Sequence, residues 1–440
     1  KQTNKQTNKQ KENNKKRKET RTRTMRFELL GVLAGLGLAF GFPVQEGPLD
    51  TDARCVGRYG TDMDGVLSSF KLLADDGLAN DRYGQAVGIG EHYAVVGAPN
   101  KATPADHCQG VVYIYRRVEE TWVLDGKIES PNPETGFFFG ESVAVYQSTV
   151  VIGKSRASLK QGAASVYERD ATGTWVETAL LTADDGAEGD RFGISVAIDG
   201  NAIVIGAFGD DAEGASNAGS AYVYEKASNV WSLSAQLAPS TTAQGHFGKD
   251  VDISGTTVLV GAPGLDNKGA AFFYSKAGGT WSLVETVLAA DGASGDKFGE
   301  SVAVDDATAV IGAPGVSSGA GAAYVFRGTT SRILRGRNLG YLSWTQTSKL
   351  VAGDQDQMDL FGNVVDIHNS AIAVGAMYAS PDGWCSGGAY LFQNTVGDNW
   401  AQTRLSTVDN TQRDYLGISV ALYGDYMIAG ATGDDDMGLH

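Results

Sequence analysis

Proline is scarce, 10 in 440 residues, too little for a collagen or a Pro-rich linker protein. Cysteine is scarcer. Cys55, Cys108 and Cys385 form no metal-ligand spacing, and in an oxidising compartment they allow one bridge and one leftover thiol. Cys55 with Cys108 is the preferred pair, because both lie near the start of a repeated region. Histidines 92, 107, 246, 368 and 440 are scattered. No Ser–His–Asp set has a local signature, although a fold that gathers residues across units could assemble one. H-E-x-x-H, G-x-S-x-G and phosphate-loop strings are missing. Basic charge is outnumbered over most of the chain. Residues 1–26 hold 11 of the 36 Lys and Arg and 2 of the 52 Asp and Glu, which leaves 25 basic against 50 acidic residues, a net of −25, in the remainder. Such a body repels nucleic acid and anionic membrane. It is compatible with cation binding, but a solvated surface is the simpler reading.

Long apolar runs are missing too, with one exception, "LLGVLAGLGLAFGF" at Leu29–Phe42. It is shorter than the roughly 20 residues of a membrane span. It follows Met25 and Arg26 and precedes small residues suited to cleavage, so 25–42 is expected to be a secretory signal peptide, despite Glu28. An uncleaved anchor or a buried helix are the alternatives. Residues 1–24 are polar, basic and of low complexity, a disordered leader that is translated ahead of Met25 or not at all. Residues 43–65 read as a linker.

What is present from 66 to 440 is repetition. An aromatic–Gly pair recurs at Tyr83–Gly84, Phe139–Gly140, Phe192–Gly193, Phe247–Gly248, Phe298–Gly299 and Phe361–Gly362, with Leu416–Gly417 as a seventh. The glycines are 56, 53, 55, 51, 63 and 55 residues apart, a regularity that marks a repeat array. Each unit offers four short alternating runs, the pattern of strands. The first follows the pair, as in Ser142–Val145. The second ends in a glycine turn, as in "VVGAP" at Val95–Pro99. The third is aromatic, as in "GSAYVY" from Gly219. The fourth opens on a tryptophan: Trp122, Trp175, Trp231, Trp281, Trp344 or Trp400. The aromatic is expected to wedge between sheets, and the glycine to allow positive φ or a close backbone approach. A sheet of this size cannot hide its own face, so an all-β, seven-bladed β-propeller of four-stranded antiparallel blades is expected.

The "FGxSVA…VIGAP…GAAYVY" pattern resembles the FG-GAP repeat of integrin alpha subunits and of secreted microbial propellers. The resemblance implies seven blades, with the ring closed by an N-terminal strand on the last blade. "VLSSFKLLADDG", Val66–Gly77, matches a fourth strand without its first three. The last unit reaches His440 without a third strand, so the last blade is expected to be incomplete and the natural chain to continue.

Four acidic stretches precede aromatic–Gly pairs, from Asp75, Asp184, Asp291 and Gly353. Clustered carboxylates suit calcium, and Asp190, Asp296 and Asp359 are the metal candidates. The preferred reading has these residues and Asp81 forming turns through backbone N–H groups. Calcium-bearing integrin alpha repeats carry their acids between the first and second strands. Here "IDGNAIV" and "VDDATAV" are too short and too poor in acid to match, so no cofactor is expected. "RGTTSRILRGRNLGYLSW", with Arg327, Arg332, Arg335 and Arg337, reads as a tolerated loop insertion, with an anionic partner as the alternative. His246 reads as a surface variant.

The resulting expectation is a secreted or cell-surface binding and adhesion module with no catalytic residues, contacting protein or glycan, with no nucleic acid partner and no membrane span other than an uncleaved signal anchor. The alternative is an extracellular propeller enzyme, a glycan hydrolase or lyase with a central-channel site. An enzyme needs one blade to depart in its inner strand, and the departures are Asp250, Asp252 and Asp366.

Overall fold

A computed structural model describes residues 28–33, 68–78, 80–102, 109–119, 121–130, 138–214, 216–239, 244–329, 343–395, 397–405 and 412–433. Cys55, Cys108, Arg332, Arg335 and Arg337 lie outside them. The sequence units fold as sheets. Six have four antiparallel strands in chain order, spanning 86–129, 142–181, 195–237, 251–287, 302–350 and 364–405. Blade three shows the register: Ser195 faces Gly206, Ala207 faces Ser220, and Ala221 faces Leu237. In blades one to five a bulge interrupts the pairing of the third and fourth strands, as between Val223 and Tyr224. Bulges sharpen local twist.

Burial explains the composition of each strand. Second strands are covered on both faces by neighbouring blades, so Tyr93–Ala98 is buried throughout. Such strands read as continuous apolar runs. Fourth strands form the rim, and Val230–Leu237 is mostly exposed. Each hydrophobic cluster belongs to two blades. Val204, Val223 and Leu237 of blade three pack with Phe247, Val260 and Phe272 of blade four.

The repeated pair sits at these seams. All six aromatics and Leu416 are 0–1% exposed. Phe192 packs against Tyr222 and Tyr224 of its own blade and shares a cluster with Val166 and Leu181 of the blade before. The two repeat glycines meet each other across the seam. A Cβ on Gly206 would stand 2.1 Å from the carbonyl oxygen of Gly248, and the equivalent distance is 2.0–2.1 Å at every other seam. Gly248 itself has φ +81°. The small inner-strand serine has a role beyond fitting a crowded axis. Ser142 and Ser195 donate to the carbonyls of Gly193 and Gly248 in the next blade, at 2.8 and 3.2 Å. Ser419 donates likewise to Gly84 at 2.8 Å, joining the last unit to the first. Leu72, Ala421 and Ile428 share a cluster with Tyr83 and Tyr113, which closes the ring.

The seventh sheet differs from the expectation. Val420–Tyr423 and Tyr426–Ala431 pair antiparallel, as in other blades. Ser68–Leu73 lies at the outer edge, where a fourth strand belongs. The third position is not left open: Glu28–Leu33 occupies it, parallel to both neighbours. In the six complete blades that position is antiparallel to both. The reason is polarity. Ser68–Leu73 runs in the direction of a fourth strand, one strand width remains inside it, and strand edges accept pairing in either sense.

Candidate functional site

Two regions could carry function: the axial channel lined by inner strands, and the face carrying the longer loops. Antiparallel order places the second-to-third and fourth-to-first connections of every blade on the same face.

The acidic stretches lie on that face and hold it together. The aspartate two residues before the aromatic folds the turn: Asp81, Asp190, Asp296 and Asp359 accept the backbone N–H of Leu78, Ala187, Ala293 and Asp356, at 2.5–2.8 Å. Their own carbonyls accept N–H groups beyond the second strand, from Asn100, Gly209, Gly315 and Tyr378. All four are buried. Burial pushes the carboxyls of Asp190 and Asp359 above the ordinary value, with neighbouring aspartates adding to it. Earlier acids in each stretch bond the next blade. Asp76, Asp185 and Asp291 accept the hydroxyls of Tyr113, Tyr222 and Tyr324, at 2.6–3.0 Å. Lys127 and Lys349 pair with Asp75 and Asp291. Asp190, Asp296 and Asp359 thus stand in three separate turns. Among the described residues no three His, Cys, Asp or Glu side chains converge closely enough to hold a metal ion.

The channel encloses about 500 Å³. Its aspartates follow one rule: each accepts the N–H of the following position in the next blade's inner strand or in the turn that ends it. Asp250 takes Val302 at 2.8 Å, Asp252 takes Val304 at 2.6 Å, and Asp366 takes Leu422 at 2.5 Å. Asp199 takes Gly255 at 2.6 Å, Asp305 takes Asn369, and Ser254 and Ser301 do the same for Asp306 and Val365. The cause is that an innermost strand has an unpaired edge, whose N–H groups need acceptors. Burial raises all three inner carboxyls: Asp250, Asp252 well above the carboxylate range, and Asp366 up to about 7. Asp366 and Asp250 add to the shift of Asp252. His368 stacks on Tyr423 with centroids 4.7 Å apart, and burial lowers its pKa. A carboxyl protonated near neutrality can act as a general acid, but each of these also carries a blade-to-blade bond.

On the loop face, exposed apolar side chains differ from blade to blade: Leu78, Leu159, Met358, Tyr378 and Trp384. Trp384 is 59% exposed, with the Arg413 guanidinium 5.1 Å from its ring centroid. Cys385 beside it makes no disulfide among the described residues. Two sequence readings change here. His246 is half-buried and packs edge-on against Phe208, with centroids 5.5 Å apart. Arg327 lies in the strand Ala322–Thr329, bonding Thr308 and Asp398 and covering Trp400, and so helps seal blade five to blade six. The sequence reading missed the Tyr–Asp tethers, whose signal was the "ADDG" string paired with a third-strand tyrosine one unit later. It also missed Asp414, a further aspartate two positions before the repeat pair, whose carbonyl accepts the Gly433 N–H.

A family model described as "FG-GAP repeat" matches residues 68–115, 175–224, 231–274, 281–326, 344–392 and 400–440. All six begin within a residue of an outer strand's start and run into the next sheet. The sequence repeat is therefore offset from the blade by one strand. No curated protein is similar enough to match. A solved Bacteroides uniformis protein, provisionally assigned as a 6-phosphogluconolactonase, aligns with TM-score 0.50 at 11% identity, covering 76% of this chain and 88% of that one. At that identity the likeness is one of fold.

Proposed function

The chain belongs to the FG-GAP repeat family, and from that premise we propose that it is a binding module, secreted or displayed at a cell surface, that contacts protein or glycan through the loops of one propeller face. We read its ring as seven-bladed and assign it no cofactor, no catalytic residue and no nucleic acid or membrane-lipid partner. The observation that carries this reading is the division of labour among side chains. Repeated residues are buried in seams, whereas blade-specific apolar groups, Leu159, Met358 and Trp384 among them, face solvent on the loop face. Rim strands also expose apolar groups, but at recurring positions such as Leu124, Leu233 and Leu283, whereas those of the loop face differ between blades, and it is apolar groups gathered into a patch that mark an interaction surface. Secretion rests on the apolar run after Met25, read as a leader from sequence, although Glu28–Leu33 of that run pairs in the seventh sheet. A glycan and protein array probed with the folded chain tests the proposal. Reproducible binders weakened by Trp384→Ala are expected, and an empty array refutes it. Calorimetric titration with calcium is expected to show no heat at millimolar metal.

The channel supports a second reading, a glycan hydrolase or lyase. Its favouring observation is the raised carboxyl of Asp366 beside the others. Against it, Asp250, Asp252 and Asp366 each hold a neighbouring blade's backbone. Release of reducing sugar that disappears in Asp252→Asn with the fold intact would favour the enzyme.

A further inference from the structure

On the loop face a groove of about 520 Å³ runs between the connections of blades three, four and five. Its volume lies in the range of small-ligand sites. One wall is Phe208, which stands where blades one, four and five carry Pro99, Pro263 and Pro314. Phe208 is half-buried, so part of its ring faces the groove. Lys249 and Lys297 line the groove with Asn267 and Ser294. The Arg191 guanidinium lies 5.2 Å from the Phe208 centroid and the Lys249 ammonium 5.7 Å from it.

The charge of this place runs against that of the acidic body. Rim lysines elsewhere are matched by acids: Lys127 by Asp75, Lys226 by Glu168, Lys276 by Glu225, Lys349 by Asp291. Here Lys249 faces Glu300 at 3.5 Å, while Arg191 and Lys297 make no ion pair among the described residues. Glu300, the one carboxylate in the lining, is taken by Lys249, so on a body of net charge −25 outside residues 1–26 the unmatched Lys297 in the wall and Arg191 beside Phe208 give the groove local positive potential where an anion would sit. The groove also offers amide and hydroxyl groups for a polyhydroxylated ligand and an apolar ring for its C–H face. We propose that it binds an acidic saccharide, one bearing a carboxylate or a sulfate. This inference rests on the binding-module reading and names its ligand class.

The test is calorimetric titration of the full chain with oligogalacturonate, with a heparin-derived sulfated oligosaccharide and with neutral cello-oligosaccharide, each at low and raised salt. At least one acidic probe is expected to bind and to weaken with salt, and which one binds separates carboxylate from sulfate recognition. The Lys249→Gln/Lys297→Gln double variant is expected to lose about tenfold in affinity for it. Phe208→Pro places a residue three other blades already carry and is expected to weaken it as well. The inference is overturned if neither acidic probe binds, if the neutral probe binds as well, or if both variants bind like the parent. Should the array yield only neutral glycan or protein ligands, the binding-module reading survives and this inference fails. An empty array sinks both.

Discussion

At the scale of the residue, two glycines of one hairpin make a contrast. Gly206 approaches the next blade so closely that a methyl group would meet the Gly248 carbonyl at 2.1 Å, whereas Gly200, at φ +58°, has nothing within 4 Å of the same position. Gly206→Ala must move backbone, and chemical unfolding should show a loss of about 3 kcal/mol or more. Gly200→Ala should lose about 1 kcal/mol, the cost of left-handed backbone alone. Asp366 makes a pH prediction. Its folded pKa of about 7 lies above the ordinary carboxylate value, because of burial and then of nearby aspartates. The folded chain therefore keeps a proton that the unfolded chain releases, from about pH 4 to 7. This contribution to stability is full below about pH 4 and is lost as pH rises through 7. Asp366→Asn should flatten that slope and melt as a protein about 1–2 kcal/mol more stable than the parent at pH 8.

At the scale of the element, each rim strand is fastened by the blade before it. Glu225 on blade three accepts Lys276 at 2.5 and 2.6 Å and the Trp281 indole N–H at 3.2 Å, both from blade four. Burial would raise its carboxyl, but the bonds to Lys276 and Trp281 outweigh burial and hold it below the ordinary value. Such a group stabilises above its unfolded pKa and loses its contribution as pH falls through the folded one. Glu225→Gln should thus cost about 1 kcal/mol at pH 7, and the difference from the parent should shrink as pH falls below the ordinary carboxylate range, read by thermal melts across that range. Much of this scale was legible in advance. Short alternating runs such as Ser195–Asp199 and Ala202–Ala207 give strands because side chains alternate faces with a period of two. The acidic stretches were legible only as turns. Their tyrosine and lysine partners lie in the next blade, and local sequence does not state which residues a neighbouring sheet presents.

At the scale of the whole molecule, the decisive feature is closure. Gly430 would meet Gly84 at 2.0 Å, as tight as any internal seam. Gly430→Ala should therefore cost as much as Gly206→Ala, within about 1 kcal/mol. A near-neutral Gly430→Ala in the same unfolding measurement would mean that the first and last units do not meet. The inner strands and the Leu72, Ala421 and Ile428 cluster carry closure apart from Glu28–Leu33. A chain starting at residue 43 should accordingly keep a single cooperative melt.

Repeat period, strand order within a blade and the buried faces were set by the sequence alone, because aromatic–Gly spacing and period-two alternation are local and recur in every unit. Three matters were decided only in three dimensions. Asp250, Asp252 and Asp366 became acceptors for a neighbouring strand's free edge. Glu28–Leu33, read as part of a leader, took the empty place in the seventh sheet. Phe208, Lys249 and Lys297 came to share one groove from three different units. The physical reason is common to all three: an N–H edge, a vacant strand position and a charged groove each form between blades, where residues some forty positions or more apart meet.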